Sequence, residues 1–225
     1  MRLKPIRKIR KLIQRSFLYR KYAENALSGK QFEFNEKAYP YFIHSHNYTW
    51  TNERAVELAI ARDEIQARTA GRTLEVGNVT RHYFATEHDV VDKYEKASGI
   101  LNVDIVDFHP EKNYDFVFAI STLEHVGWDR DRREGDKIPI AVEKLKQLLN
   151  PGGELLITVP IGFNSFLDDF LAEQSLGFNE IHFLKRISHT NQWQQADWDG
   201  VSGTHYNSPF NNANAIAVAR YTRAA

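Results

Sequence analysis

From about residue 70 onward, short apolar runs alternate with stretches of helical periodicity. Arg72–Gly77 (RTLEVG), His88–Tyr94 (HDVVDKY), Ile100–Val106 (ILNVDIV), Tyr114–Ser121 (YDFVFAIS) and Glu154–Pro160 (ELLITVP) each read as a strand. Their apolar character is nearly continuous, as in strands of a parallel sheet covered on both faces. Ile138–Leu149 instead places Ile140, Val142, Leu145 and Leu148 at helical spacing and stops at Asn150-Pro151-Gly152-Gly153, a strong helix breaker. Thr51–Arg68 reads as a helix capped near Thr51 or Asn52 that leads into the first strand. Ile181–Ile187 and Ala213–Tyr221 are two further strand-like runs, joined by a long polar, aromatic loop. Strands alternating with helices predict an α/β domain over residues 51–225, preceded by an extension over residues 1–50.

The extension has its own pattern. Ile6, Ile9, Ile13 and Phe17 recur every three or four residues, with Lys and Arg around them and Pro5 at the first turn. Such a stripe predicts an amphipathic helix. Ten of the 29 Lys/Arg residues but only one of the 29 acids fall in residues 1–30, so a head of about +9 precedes a body of about −9. The net charge of zero describes neither part. Three readings stay open for the head: a helix docked on the acidic body, a peripheral contact of residues 1–22 with an anionic membrane, and a nucleic-acid arm. The acidic body and the absence of an Asn-Pro-Pro-Tyr motif argue against a nucleic-acid partner.

Composition narrows the class. At 225 residues and 42% hydrophobic, the chain can bury a sizeable core. The absence of cysteine excludes disulfides, a zinc ribbon and a cysteine nucleophile. No run approaches the roughly 18 apolar residues of a spanning helix, and the first 30 residues lack the apolar core of a secretory signal. The expected place is the cytoplasm, with contact at the inner face of a membrane as the open alternative.

The candidate chemistry sits at the strand ends. Glu75-Val76-Gly77 closes the first strand; a glycine there lets a ligand approach the backbone, and the acid before it can accept a hydrogen bond from that ligand. Asp92 ends the second strand, where a carboxylate can accept from both hydroxyls of a ribose. The third gives Val103-Asp104-Ile105, with Asp107 following, and an acid there can accept from an exocyclic amine. The fourth strand ends in Ser121-Thr122-Leu123-Glu124-His125. Each also has a plainer reading: Asp92 as a surface acid, Asp104 and Asp107 as turn caps, Ser121 and Thr122 as helix caps.

Taken together, Glu-x-Gly, the two strand-end aspartates, Tyr-Asp followed by apolar residues and Ser-Thr-Leu-Glu-His, and Leu-x-Pro-Gly-Gly-x-Leu resemble the class I S-adenosylmethionine-dependent methyltransferases. The resemblance covers residues 70–160 and extends more weakly to 221. It implies a Rossmann-like, doubly wound α/β fold: a mostly parallel seven-stranded sheet with an antiparallel C-terminal strand and an N-terminal helical extension. It also implies S-adenosylmethionine as cofactor. Glu75 and Gly77 would then meet its methionine end, Asp92 the ribose, Asp104 and the Ile105 amide the adenine, and Ser121 the region of the sulfonium. One departure stands out. The family's second and third loop glycines are Val79 and Arg81 here, which implies either a reshaped loop with the Asn78 or Thr80 side chain making the contact, or lost cofactor binding.

On the acceptor side, His125 is the expected base and Glu124 its alternative. Gly127–Asp136 reads as a charged lid. Trp193, Trp198, His205, Tyr206, Asn207, Asn211 and Asn212 mix flat faces with amides, which suits a sugar-like acceptor. The expectation is O-methylation of a small-molecule or glycan-type acceptor; the alternative is a non-catalytic relative serving as a scaffold at a membrane. His44-Ser45-His46 lacks a third ligand at a recognisable spacing, so no metal is expected.

Overall fold

A computed structural model describes residues 17–129 and 132–225. The stripe at Ile6, Ile9 and Ile13 lies outside the described residues. The first described element is α1 (Phe17–Leu27), which buries Ala23 and Leu27. The Tyr19 hydroxyl donates to the His189 carbonyl at 2.7 Å.

A hairpin comes next, β1 (Gln31–Phe34) and β2 (Lys37–Pro40), turning through Asn35 and Glu36 at φ 47 and 62°. It lies in the extension, where the sequence predicts only a helix. Phe32 and Phe34 point inward while Gln31 and Glu33 face solvent, the half-buried strand pattern in its shortest form. The inward face joins Tyr39, Tyr41 and Trp50 in one apolar cluster with α2 (Arg54–Ala67). As expected of a cap, Asn52 Oδ1 accepts from the Arg54 N–H at 3.0 Å, satisfying one of the orphan donors of a helix start.

The central sheet has eight strands, in the order Trp193–Ala196, Glu180–Arg186, Ala215–Thr222, Leu149–Pro160, Tyr114–Ile120, Thr73–Val76, Asp89–Val91 and Ile100–Leu101. β3 (Thr73–Val76), β4 (Asp89–Val91), β5 (Ile100–Leu101), β6 (Tyr114–Ile120) and β9 (Leu149–Pro160) run parallel. β12 (Ala215–Thr222) inserts antiparallel between β9 and β10 (Glu180–Arg186). This is the expected doubly wound sheet with an antiparallel C-terminal strand. The strand beyond the expected seven is β11 (Trp193–Ala196), which pairs antiparallel with β10. α3 (Lys137–Gln147) and α4 (Ser165–Ala172) cover one face; α1, the hairpin and α2 cover the other.

Side chains of β6 and β9 alternate between the two layers. Val117, Ala119, Leu155 and Ile157 pack toward α3, whereas Phe116, Phe118, Ile120 and Leu156 pack toward α2. Each fully buried Phe contributes about 2–3 kcal/mol, so both layers are held to one sheet.

The crossovers from β3 to β4 and from β4 to β5 depart from the expected winding. Only a 3₁₀ turn at Thr80–His82 occupies the first, and no helix forms in the second. Twelve residues separate Val76 from Asp89, about the minimum for a crossover between parallel strands. β4 and β5 are correspondingly shorter than the runs seen in the sequence. Between β6 and α3 the expected lid contains a two-stranded ribbon, β7 (Trp128–Asp129) with β8 (Arg132–Arg133).

Candidate active site

A cavity of about 670 Å³ opens at the carboxyl edge of β3, β4 and β6, where open α/β sheets bind ligands. Of the residues singled out in the sequence, Gly77, Asn78, Asp92, Asp104, Ile105, Ser121 and His125 line it. They come from separate strand ends, so the topology alone brings them together.

Glu75 is not among them. Its carboxylate is fully buried beneath the loop after β3. Oε1 accepts from the N–H groups of Val79 at 2.9 Å and Thr80 at 2.7 Å. Oε2 takes the Thr80 hydroxyl at 2.6 Å and lies 2.9 Å from His88 Nε2. The expectation that Glu75 meets a ligand is therefore corrected: it holds the loop whose Asn78 and Val79 line the cavity. Strand alternation explains this, because Glu75 points to the face opposite Leu74 and Val76.

The loop's two missing glycines also find an account. Val79 stands in the cavity wall. The Arg81 guanidinium turns away, donating to the carbonyls of Gly99 at 3.0 Å and His88 at 3.1 Å. It staples the two helix-free crossovers and leaves the cavity open.

Asp92 caps a turn and lines the cavity. Oδ1 caps the turn after β4, accepting from Tyr94 N at 2.8 Å and Glu95 N at 2.7 Å, and Oδ2 accepts from Asn78 N at 3.1 Å. Lone pairs remain on a carboxylate so placed, and it faces the cavity. Asp104 is both a cap, to Val106 N at 3.4 Å, and an ion-pair partner of Lys93 Nζ at 3.1 Å. The Lys93 ammonium is held more basic than usual, first by that bond. Asn78 donates to Glu95 Oε1 at 2.7 Å, while its Oδ1 is buried with no partner.

Sequence reasoning missed the polar cluster behind this wall. Ser121, at φ 39°, turns its hydroxyl away from the cavity and donates to Glu57 Oε1 at 2.6 Å. Thr158 Oγ1 donates to the same atom at 2.8 Å, and Arg54 Nη1 pairs with Oε2 at 2.5 Å. Ser121 therefore lines the cavity while its hydroxyl serves Glu57. Glu57 is fully buried in the apolar stripe of α2, between Val56 and Leu58. An acid inside such a stripe was the available signal.

Glu53 and Glu124 complete the cluster. Burial is the main reason that the carboxyls of both are pushed up, Glu124 well above the usual carboxylate range. Glu124 lies behind the cavity wall, its Oε1 3.8 Å from His125 Nε2. The His125 ring is half exposed to the cavity, and burial followed by the Arg54 charge lowers its basicity. A neutral imidazole there can accept a proton.

The tail residues expected to form a sugar platform do something else. Trp193 is buried, donating Nε1–H to Asn191 Oδ1 at 3.0 Å, and Trp198 packs on Phe183. Asn207 and Asn212 tie their own loop together. Of this set, Tyr206 reaches the site's edge: Phe163 stands edge-on to both His125 and Tyr206, at 5.0 Å each. Among the described residues no group of three or more His, Asp or Glu is arranged to hold a metal ion; His46 instead stacks on His82 at 5.2 Å.

No described protein family and no curated protein matches this chain. Solved structures do. The N-methyltransferase NodS from Bradyrhizobium japonicum, in complex with S-adenosyl-L-homocysteine, is similar at 13% identity over 76% of this chain and 87% of that one, with a TM-score of 0.48. A possible histamine N-methyltransferase from Thermotoga maritima is similar at 14% identity, over 74% of this chain and 89% of that one, with a TM-score of 0.44. TehB from Haemophilus influenzae is similar at 13% identity, over 74% of this chain and 62% of that one, with a TM-score of 0.43.

Proposed function

We propose that this protein is a methyltransferase that binds S-adenosylmethionine in the cavity at the sheet's carboxyl edge. One observation carries the reading: Gly77, Asn78, Asp92, Asp104, Ile105 and His125 line a single cavity of about 670 Å³ in the order of the strands that supply them. The cofactor's demands fit the residues present. Asn78 Oδ1 is a buried acceptor lacking a donor, and a ligand amine or hydroxyl would supply one. Asp92 keeps acceptor capacity for ribose hydroxyls, and the Ile105 amide borders the place for the base. Bound there, the sulfonium supplies an activated methyl group. His125 stays neutral and takes a proton from the acceptor, a small molecule admitted beside Phe163 and Tyr206. The sugar reading is not carried forward: Trp193 is buried, Trp198 packs on Phe183, and none of the seven residues it rested on lines the cavity.

The test is calorimetric titration with S-adenosylhomocysteine. Micromolar binding is expected. Asp92→Asn keeps an oxygen for the turn but loses the charge, and should weaken binding by about 1–3 kcal/mol, roughly 5- to 150-fold. A well-folded protein that takes up no S-adenosylhomocysteine sinks the proposal; unchanged affinity in Asp92→Asn removes that residue from the site.

A second reading concerns place rather than chemistry. Leu18 and Tyr22 lie one turn apart on α1 and are 80% and 55% exposed, next to a segment whose sequence carries about +9 over residues 1–30. A peripheral contact with anionic lipid uses both features. Flotation with phosphatidylserine vesicles, lost on deletion of residues 2–16 and absent with neutral vesicles, is the expected result. Equal recovery on neutral vesicles would discard it.

A further inference from the structure

The base end of the cavity carries an ion pair within its own lining. Lys93 Nζ lies 3.1 Å from Asp104 Oδ2, and both residues line the cavity together with Ile105. Both side chains can be reached by a guest, at 39% and 22% exposed. Asp92 fixes where Lys93 leaves β4, because its carboxylate caps the turn at Tyr94 and Glu95. The Lys93 ammonium also stands 5.2 Å from the centroid of the Tyr94 ring, and its bond to Asp104 keeps it charged. Asp104 Oδ1 accepts from Val106 N at 3.4 Å. Each oxygen of Asp104 therefore has a donor from the chain itself.

That pairing changes what the acid can demand of a ligand. A site rejects an analogue that lacks a donor because the acceptor left behind is covered and unpaired. Here a ligand without an exocyclic amine leaves Asp104 bonded to Lys93, so that penalty is absent. A ligand with the amine can still bond, since a carboxylate offers about four acceptor positions. It gains only the difference between sharing Asp104 and leaving it to Lys93. We infer that Lys93 sets the base specificity of this cavity: it stands in for the exocyclic amine at Asp104, and lets the site take purines with or without that group. The inference rests on the methyltransferase reading and deepens it at the base of the cofactor.

The other ammonium of the cavity does not duplicate this role. Lys137 of α3 lines the same space, but its Nζ pairs with Glu134 at 2.8 Å. Removing Lys137 takes one positive charge from the cavity and leaves Asp104 its donor. Removing Lys93 takes the same charge and the donor as well. The two lysines thus separate a general effect of charge from a specific effect of the hydrogen bond.

Two probes test the inference by calorimetric titration into the full chain: S-adenosylhomocysteine, and its 6-deamino analogue, in which unsubstituted purine replaces adenine. The analogue keeps the ring nitrogens and loses only the amine. The unmodified protein is expected to prefer S-adenosylhomocysteine by tenfold or less. Lys93→Met keeps the length of the side chain without its charge, and should raise that preference at least fivefold, partly by tightening S-adenosylhomocysteine as Asp104 regains its demand for a donor. Lys93→Arg restores a charged donor and should bring the preference back to within twofold of the original. Lys137→Met should leave it within twofold. A preference above tenfold in the unmodified protein, a smaller rise in Lys93→Met, no recovery in Lys93→Arg, or an equal rise in Lys137→Met would each overturn the inference while S-adenosylhomocysteine still binds. A folded protein that binds neither probe would remove the methyltransferase reading, and this inference with it. Should Lys93→Met not fold, Lys93→Gln carries the same comparison.

Discussion

Glu75→Ala is expected to lower the melting temperature by about 10 °C and to abolish S-adenosylhomocysteine binding, although Glu75 touches no ligand. Four bonds end on its carboxylate, and the donors include two backbone N–H groups of the loop after β3. Removing the carboxylate leaves those groups buried and unpaired, which costs about 3–5 kcal/mol for a buried charged network. In a chain of this length each kcal/mol lowers the melting temperature by about 2–4 °C. Asn78 and Val79, which line the cavity from that loop, then lose their positions. Glu75→Gln keeps an acceptor for Val79 and Thr80 and should fall between. The two readings of Glu75 separate cleanly. A ligand contact predicts lost affinity at unchanged stability; a loop anchor predicts that both fall together. Thermal melts and titrations on the two variants decide it.

That contrast shows where the sequence ran out. β3, β6 and β9 were legible because continuous apolar runs have few other uses, and the polar residues just after β3, β4, β5 and β6 located the cavity. The direction of Glu75 was not legible, because whether an acid at a strand end faces ligand or loop depends on which sheet face the crossover covers. A helix-free crossover was hidden for the same reason: Val79 and Arg81 read as lost glycines, while the partners of Arg81 at Gly99 and His88 are distant in sequence. The hairpin at Gln31–Pro40 carried only a four-residue alternation on its first strand, overshadowed by the basic run before it. The acid cluster needed three dimensions. Glu53 and Glu57 sit at the start of α2 and Glu124 after β6, and only the fold sets them around Arg54. Trp193 and Trp198 failed in the opposite sense, since aromatic residues in a polar loop pack a core as readily as they bind a sugar.

Gly77→Ala is the second large effect expected, and its two causes can be separated. Gly77 sits at φ +83°, a region that costs a residue with a Cβ about 1–2 kcal/mol. Its N–H also donates to the Val91 carbonyl at 2.8 Å, so the backbone cannot rotate away without breaking the tie between β3 and β4. A Cβ here would overlap Thr122 Oγ1 and lie 2.9 Å from Thr122 Cγ2. Strain and overlap together should cost about 3 kcal/mol, and S-adenosylhomocysteine affinity should drop more than 100-fold, because both residues line the cavity. Thr122→Gly removes the overlap and leaves the dihedral strain. In that background Gly77→Ala should cost only about 1–2 kcal/mol, giving a coupling of roughly 1–2 kcal/mol between the two positions, within the range for residues in contact. Denaturant unfolding of the four proteins measures it. Additive costs would mean that the dihedral alone demands glycine, and that a turn of the Thr122 side chain accommodates the new methyl group. A large coupling would mean that the ends of β3 and β6 are packed against each other at the cavity floor. The single glycine kept in this loop would then be the one whose backbone a side chain from the next strand already covers, which explains how Val79 and Arg81 are tolerated two and four residues later.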